Sequence, residues 1–281
     1  MILFRKMRKK IFHVLLIFLL SIAVYKPLIA QTTIGEIPLP SADYHRLPAG
    51  PGSFAAWLRQ RPLKNKNLPV LDYRGRIFKA AGDSVVAAVL DLDIKGRRLE
   101  QCMDILVRLY ADYLWQNKQG KDLILPLPGG YWLTWADWKK GFRPIFKGIE
   151  VRLFLSAQAD SGEMSYKKYL NTVFAESHTQ QFYHAYKPIT PEMVAVGDFI
   201  VKKGTKGHAV LIADMAVNEH GDLIALVGNG DTPACQFFLI NYKKDEAWIP
   251  LDFERENLLL PLRRKMSWDG LRRFNLIRGS D

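Results

Sequence analysis

A stripe of apolar residues at helical spacing, followed much later by closely spaced apolar segments of strand length, limits what this chain can fold into. Leu99, Cys102, Met103, Leu106, Leu109, Tyr110, Tyr113 and Leu114 recur every three or four positions, which puts them on one side of a helix over residues 98–117, closed by Gly120. A second helix is expected over 165–177, and a short one at 54–58 behind the cap Gly52-Ser53. Strands are expected over 85–94, 198–202, 208–215, 223–227 and 237–241, with turns at 204–207 and 219–222. Helices first and neighbouring strands afterwards give an α+β fold, with helices packed on an antiparallel sheet.

The first thirty residues are of another kind. Arg5, Lys6, Arg8, Lys9 and Lys10 precede an apolar run over 11–24, and Leu28-Ile29-Ala30 supplies a small residue for cleavage. The run is shorter than the ~20 residues that span a bilayer, so residues 1–30 read as a cleavable secretory signal; a retained membrane anchor is the alternative. Residues 31–50, Pro/Gly-rich and aperiodic, are expected as a linker, and 51–281 as a single globular domain. The whole chain has 40 Lys+Arg and 28 Asp+Glu, a net +12; the first thirty residues hold six of the bases and no acid, which leaves 34 − 28 = +6. That balance gives no reason to expect nucleic acid. A monomer without a stable membrane anchor is expected once the signal is removed. No Gly-rich strand-to-helix loop offers a phosphate site, and His178 and His184 lack the spacing and acidic partner of a helical zinc pair, so no cofactor and no metal are expected.

Two cysteines are present, Cys102 and Cys235. They either pair, or one thiol has a task while the other packs in the core. Cys102 falls in the first turn of its helix, where unpaired N–H groups and the macrodipole favour a thiolate; it also falls on the apolar stripe, where a cysteine is ordinary core. His208 opens an apolar strand after Gly207, and Asn229 ends the next one. A nucleophilic thiol needs an imidazole and a polar group to orient that imidazole, and these three residues occur in that order. Tyr131, Trp132, Trp135 and Trp138 either line a groove for sugars or peptides beside Cys102, or form one buried helical face. Asp91 and Asp93 are read as a solvated strand edge, and Arg263, Arg264, Lys265, Arg272 and Arg273 as a solvated basic surface.

The segments Gly52-Ser53-Phe54-Ala55-Ala56-Trp57-Leu58-Arg59, Ala88-Val89-Leu90-Asp91-Leu92-Asp93, Gln101-Cys102, Gly197-Asp198 and Gly207-His208-Ala209-Val210 resemble an uncharacterised family of exported bacterial proteins, domain of unknown function 4846. The resemblance covers most of 45–275 and implies a place in the bacterial envelope. A more distant resemblance is to the NlpC/P60 peptidases of the papain-like superfamily, which cut peptide bonds in murein. It rests on Cys102, Gly197-Asp198-Phe199-Ile200-Val201, His208-Ala209-Val210-Leu211-Ile212 and Asn229 in that order. The residues flanking the cysteine, Gln101, Met103 and Asp104, depart from that family's usual pattern. The resemblance implies a papain-like core, with Cys102 as nucleophile, His208 as general base and Asn229 as orienter of the ring. Gln101, Tyr131, Trp132 and Trp135 would contact a cell-wall peptide or glycan. The rival expectation is a non-catalytic envelope module that binds glycan through the same aromatics.

Overall fold

The computed structural model describes residues 32–277 apart from 66, 121 and 122; the expected signal at 1–30 lies outside the described residues. Among the described residues the main sheet has nine strands. They are β1 (His45–Arg46), β2 (Val86–Val89), β3 (Tyr186–Pro188), β4 (Phe199–Lys202), β5 (His208–Val217), β6 (Leu223–Asn229), β7 (Phe238–Ile240), β8 (Trp248–Pro250) and β9 (Leu271–Ile277). The order is β2-β7-β6-β5-β4-β9-β3, with β1 also on β5 and β8 also on β6. Each of these pairings is antiparallel. The helices are α1 (Phe54–Arg59), α2 (Cys102–Gln116), α3 (Trp135–Trp138), α4 (Glu163–Glu176) and α5 (Thr179–Ala185). The fold is therefore α+β, with helices on an antiparallel sheet.

Alternation along β5 explains why that strand has almost no polar face. Ala209, Leu211 and Ala213 join the core that contains the α2 residues Ile105, Leu106 and Leu109. Val210 and Ile212 join a second core on the other face, with Met266 and Trp268 from later segments. A bulge between Ile212 and Asp214 then reverses the parity, so Met215 faces the second core and Ala216 the first. A sheet covered on both faces needs strands that are apolar throughout, as the run from Ala209 to Ala213 is.

Four expectations are corrected here. The stretch 31–50 is not a linker where it is described: Ile34 is fully buried, Trp248 Nε1 donates to Pro38 O (2.7 Å), and β1 extends the sheet. Nor are the late arginines simply a solvated surface. Arg272 is 1 % exposed and donates to the backbone oxygens of Tyr183, Asp269 and Leu271. Arg273 pairs with buried Asp198 at 2.6 Å. Both belong to β9, a sheet strand hidden from sequence reading by its arginines. The long helix begins at Cys102 and not at 98, and the strand expected over 85–94 stops at Val89.

Asp214, the first paired residue after the bulge, is fully buried and fastens the early segment to the sheet. Arg46 Nε lies 2.8 Å from one carboxylate oxygen and Arg59 Nη2 2.7 Å from the other. The same guanidinium groups donate to Ile37 O and Leu47 O, so the charges also tie down backbone. Removing the carboxylate by Asp214→Ala leaves two arginines without their acid. The expected loss of stability is about 3 kcal/mol, the low end for a broken buried pair because both arginines keep a solvent-facing side. Urea unfolding measures it, and a loss below ~1 kcal/mol would show that the clamp is dispensable.

Candidate functional site

The amino end of α2 lies where β5 begins and β6 ends. Gln101 caps the helix: its N–H donates to Asp104 Oδ2 (3.1 Å), and its Oε1 accepts the Thr232 hydroxyl (2.7 Å) from the loop after β6. Cys102, the first helical residue, is 7 % exposed. The backbone N–H groups of Met103 and Ala209 lie against its sulfur and favour the thiolate. Burial outweighs them, and with the nearby Asp104 and Asp231 carboxylates it pushes the thiol up to about 11. The expectation of a depressed pKa at the helix start is therefore corrected: the thiol is protonated near neutral pH, because desolvation exceeds what two peptide dipoles return.

His208 is 1 % exposed and Asn229 fully buried. Asn229 Nδ2 sits 3.1 Å from His208 Nε2 and donates to Gly230 O at 2.6 Å. The Gly230 carbonyl can only accept, so it fixes which end of the amide faces the ring. His208 Nε2 accepts in that arrangement, and the neutral imidazole carries its proton on Nδ1. His208 Nδ1 and Asn229 Oδ1 are buried and have no hydrogen-bond partner. Burial pushes the His208 imidazole down to about 4, with Asp231 raising it and Arg264 lowering it further.

Cys102, His208 and Asn229 thus gather at one corner of the sheet, and two of the three are in contact. The thiol meets Ala209 N–H, one residue from His208, and no hydrogen bond joins sulfur to imidazole. Both cysteines are free, and burial pushes Cys235, packed in the second core, up to about 12. Sequence reading missed Asp231, which pairs with Arg264 at 3.1 Å and influences Cys102, His208 and Cys235 together. Its position two residues after Asn229 was the available signal.

The expected aromatic contacts divide. Trp135 and Trp138 are each 4 % exposed and pack on Tyr169, so the buried-face alternative describes them. Trp135 also meets Trp115, thirteen residues along α2 from Cys102 and therefore about 20 Å away along the helix axis. Tyr131 is half-buried, and Trp132 lines a cleft formed with Gln180, Gln181 and His184 that does not include Cys102. Asp91 and Asp93 are exposed. The described residues contain no cluster of His, Cys, Asp and Glu fit to hold a metal ion, and no helix among them is long and apolar enough to cross a membrane.

The family model for domain of unknown function (4846) matches residues 34–269, a span that takes in α2, β5, β6 and the loop carrying Asp231. The chain belongs to this family. No curated protein and no solved structure matches it. The family's span includes Cys102, His208 and Asn229 as well as the Trp132 cleft.

The depressed imidazole gives stability a definite pH dependence. His208 takes up a proton near 6.5 when unfolded but only near 4 when folded. The unfolded chain therefore binds the extra proton as pH falls through this window, and the contribution present above about 6.5 is lost progressively down to about 4. The loss amounts to about 3 kcal/mol. Urea midpoints measured from pH 7 to 4 should show this slope, and His208→Gln should flatten it. An unchanged slope in the variant would assign the dependence to other groups.

Proposed function

We propose that this is an exported, monomeric envelope protein with a papain-like, NlpC/P60-type core, and that it hydrolyses amide or peptide bonds with a cysteine thiol. The observation that carries the reading is the corner described above: a helix-start thiol against the N–H of Ala209, the residue after His208, whose imidazole is held by Asn229. The order of Cys102, His208 and Asn229 along the chain supports it. A murein stem peptide is the proposed substrate class, and no nucleic acid, metal or cofactor enters the reaction.

In the proposed chemistry Cys102 Sγ attacks the carbonyl carbon and gives up its proton to His208. The imidazolium then protonates the departing amine. Water, deprotonated by the same ring, hydrolyses the thioester and restores the thiol. The N–H groups of Met103 and Ala209 stabilise negative charge at this end of the helix. For Nδ1 to take the proton, Nε2 must carry one, so Asn229 has to turn its amide and present Oδ1 to the ring. The resting arrangement, with both groups neutral, is thus one amide rotation and a sulfur–imidazole approach short of the reacting one.

Stem peptides released from murein, incubated with the protein and followed by mass spectrometry, provide the test. Wild-type protein should release new amino termini. Cys102→Ala should abolish release while folding normally, and His208→Gln should reduce it by about 10²-fold or more. Absence of cleavage by the wild type, or equal cleavage by Cys102→Ala, sinks the proposal and leaves the non-catalytic envelope module. Export has its own check: amino-terminal sequencing of the protein from an envelope or secreted fraction should begin close to Gln31. An intact Met1 would refute cleavage.

A further inference from the structure

We infer that the cleft between residues 126–132 and α5 is a binding site for a neutral oligosaccharide, separate from the Cys102 corner. The cleft has a volume of about 310 Å³. That is near the lower end for small-molecule sites and matches one or two sugar rings in size. Its floor includes Trp132, half-buried and packed edge-on against fully buried Tyr186 with ring centroids 5.5 Å apart and planes at 87°. An indole fixed in this way is a rigid platform for the C–H face of a sugar.

The polar wall comes from one helix. Gln180 and His184 stand one turn apart on α5, are exposed, and are joined at 2.8 Å between Gln180 Nε2 and His184 Nε2. Gln181 is held by its own bond, its Oε1 accepting the His178 N–H at 2.8 Å. Planar amides and an imidazole offer donors and acceptors suited to neighbouring hydroxyls, and their mutual bonds reduce the entropy lost on binding. The opposite rim is bare backbone at Gly129 and Gly130, with φ of 69° and 75°. A Cβ at Gly129 would run into the carbonyl of Ile149, in the turn between the paired strands Phe142–Lys147 and Glu150–Leu155, so this rim stays low.

Charge decides the ligand class. The lining contains no Asp, Glu, Lys or Arg, and what remains beyond the groups named is apolar. An anionic or cationic ligand would lose its hydration there without gaining a counter-charge, whereas a neutral sugar exchanges water for amide hydrogen bonds and an aromatic face. A second cleft, lined by Arg97, Glu100, Arg108, Asp112 and Lys167 among others, lacks this neutrality.

Isothermal titration of the full mature chain with diacetylchitobiose, cellobiose and maltose tests the inference. At least one disaccharide should bind saturably. Trp132→Ala should weaken it at least tenfold, and Gln180→Ala, at an exposed position, severalfold with an unchanged circular dichroism spectrum. Cys102→Ala should bind as the wild type does, which separates this site from the proposed hydrolytic one. Silence with all three sugars overturns the inference, as does equal affinity in a Gln180→Ala and Trp132→Ala pair that both fold. Saturable binding of trialanine, lost in Trp132→Ala while the sugars do not bind, would make the cleft a peptide site and also overturn it.

Discussion

The amino end of α2 presses on the junction of β5 and β6, and the chemistry proposed for this protein depends on that contact. The junction leaves little room. A Cβ at Gly230 would come within 2.9 Å of Ile105 Cγ2, and one at Gly207 would collide with the Thr179 hydroxyl at the start of α5. Glycine before β5 and glycine after β6 therefore let two helix ends close on the sheet at the strand that carries His208. Larger residues would lift those helices away and separate Cys102 from Ala209.

The same closeness sets the electrostatics. Burial is the largest influence on the Cys102, Cys235 and His208 titrations, and in each case it favours the neutral form. Asp104, one turn into α2, is also pushed up by burial. The two thiols and the His208 imidazole are consequently uncharged near neutral pH, and at Cys102 desolvation outweighs the backbone N–H groups at the sulfur. Elsewhere buried carboxylates keep cationic partners: Asp214 holds Arg46 and Arg59, and Asp198 holds Arg273. These clamps add to the apolar packing of Ile34 in the early stretch and of Leu271 and Phe274 in β9, and fasten both segments to the folded body.

Much of the architecture was legible because its periodicity is strong. The stripe from Leu99 to Leu114 announced α2 within a few residues of its ends, and the apolar runs from Phe199 to Leu226 announced β4, β5 and β6. β9 was not legible, since Arg272, Arg273 and Asn275 interrupt its apolar pattern and their partners lie far away in the chain. Nor was the division of the aromatic cluster. A spacing of three residues among Trp132, Trp135 and Trp138 does not say which ring faces Tyr169 and which lines a cleft.

The sequence by itself determined the α+β class, the approximate places of α1, α2, α4, β2 and β4 to β7, membership of the 4846 family, and the order of Cys102, His208 and Asn229. These follow from local periodicity and motif order, which are properties of neighbouring residues. Only the tertiary structure decided that Asn229 reaches His208 through Nδ2, that the Cys102 thiol is pushed up instead of down, and that Trp132 belongs with Gln180 and His184. Those outcomes depend on burial and on contacts across tens of residues, and desolvation of a thiol cannot be read from its place in a helix.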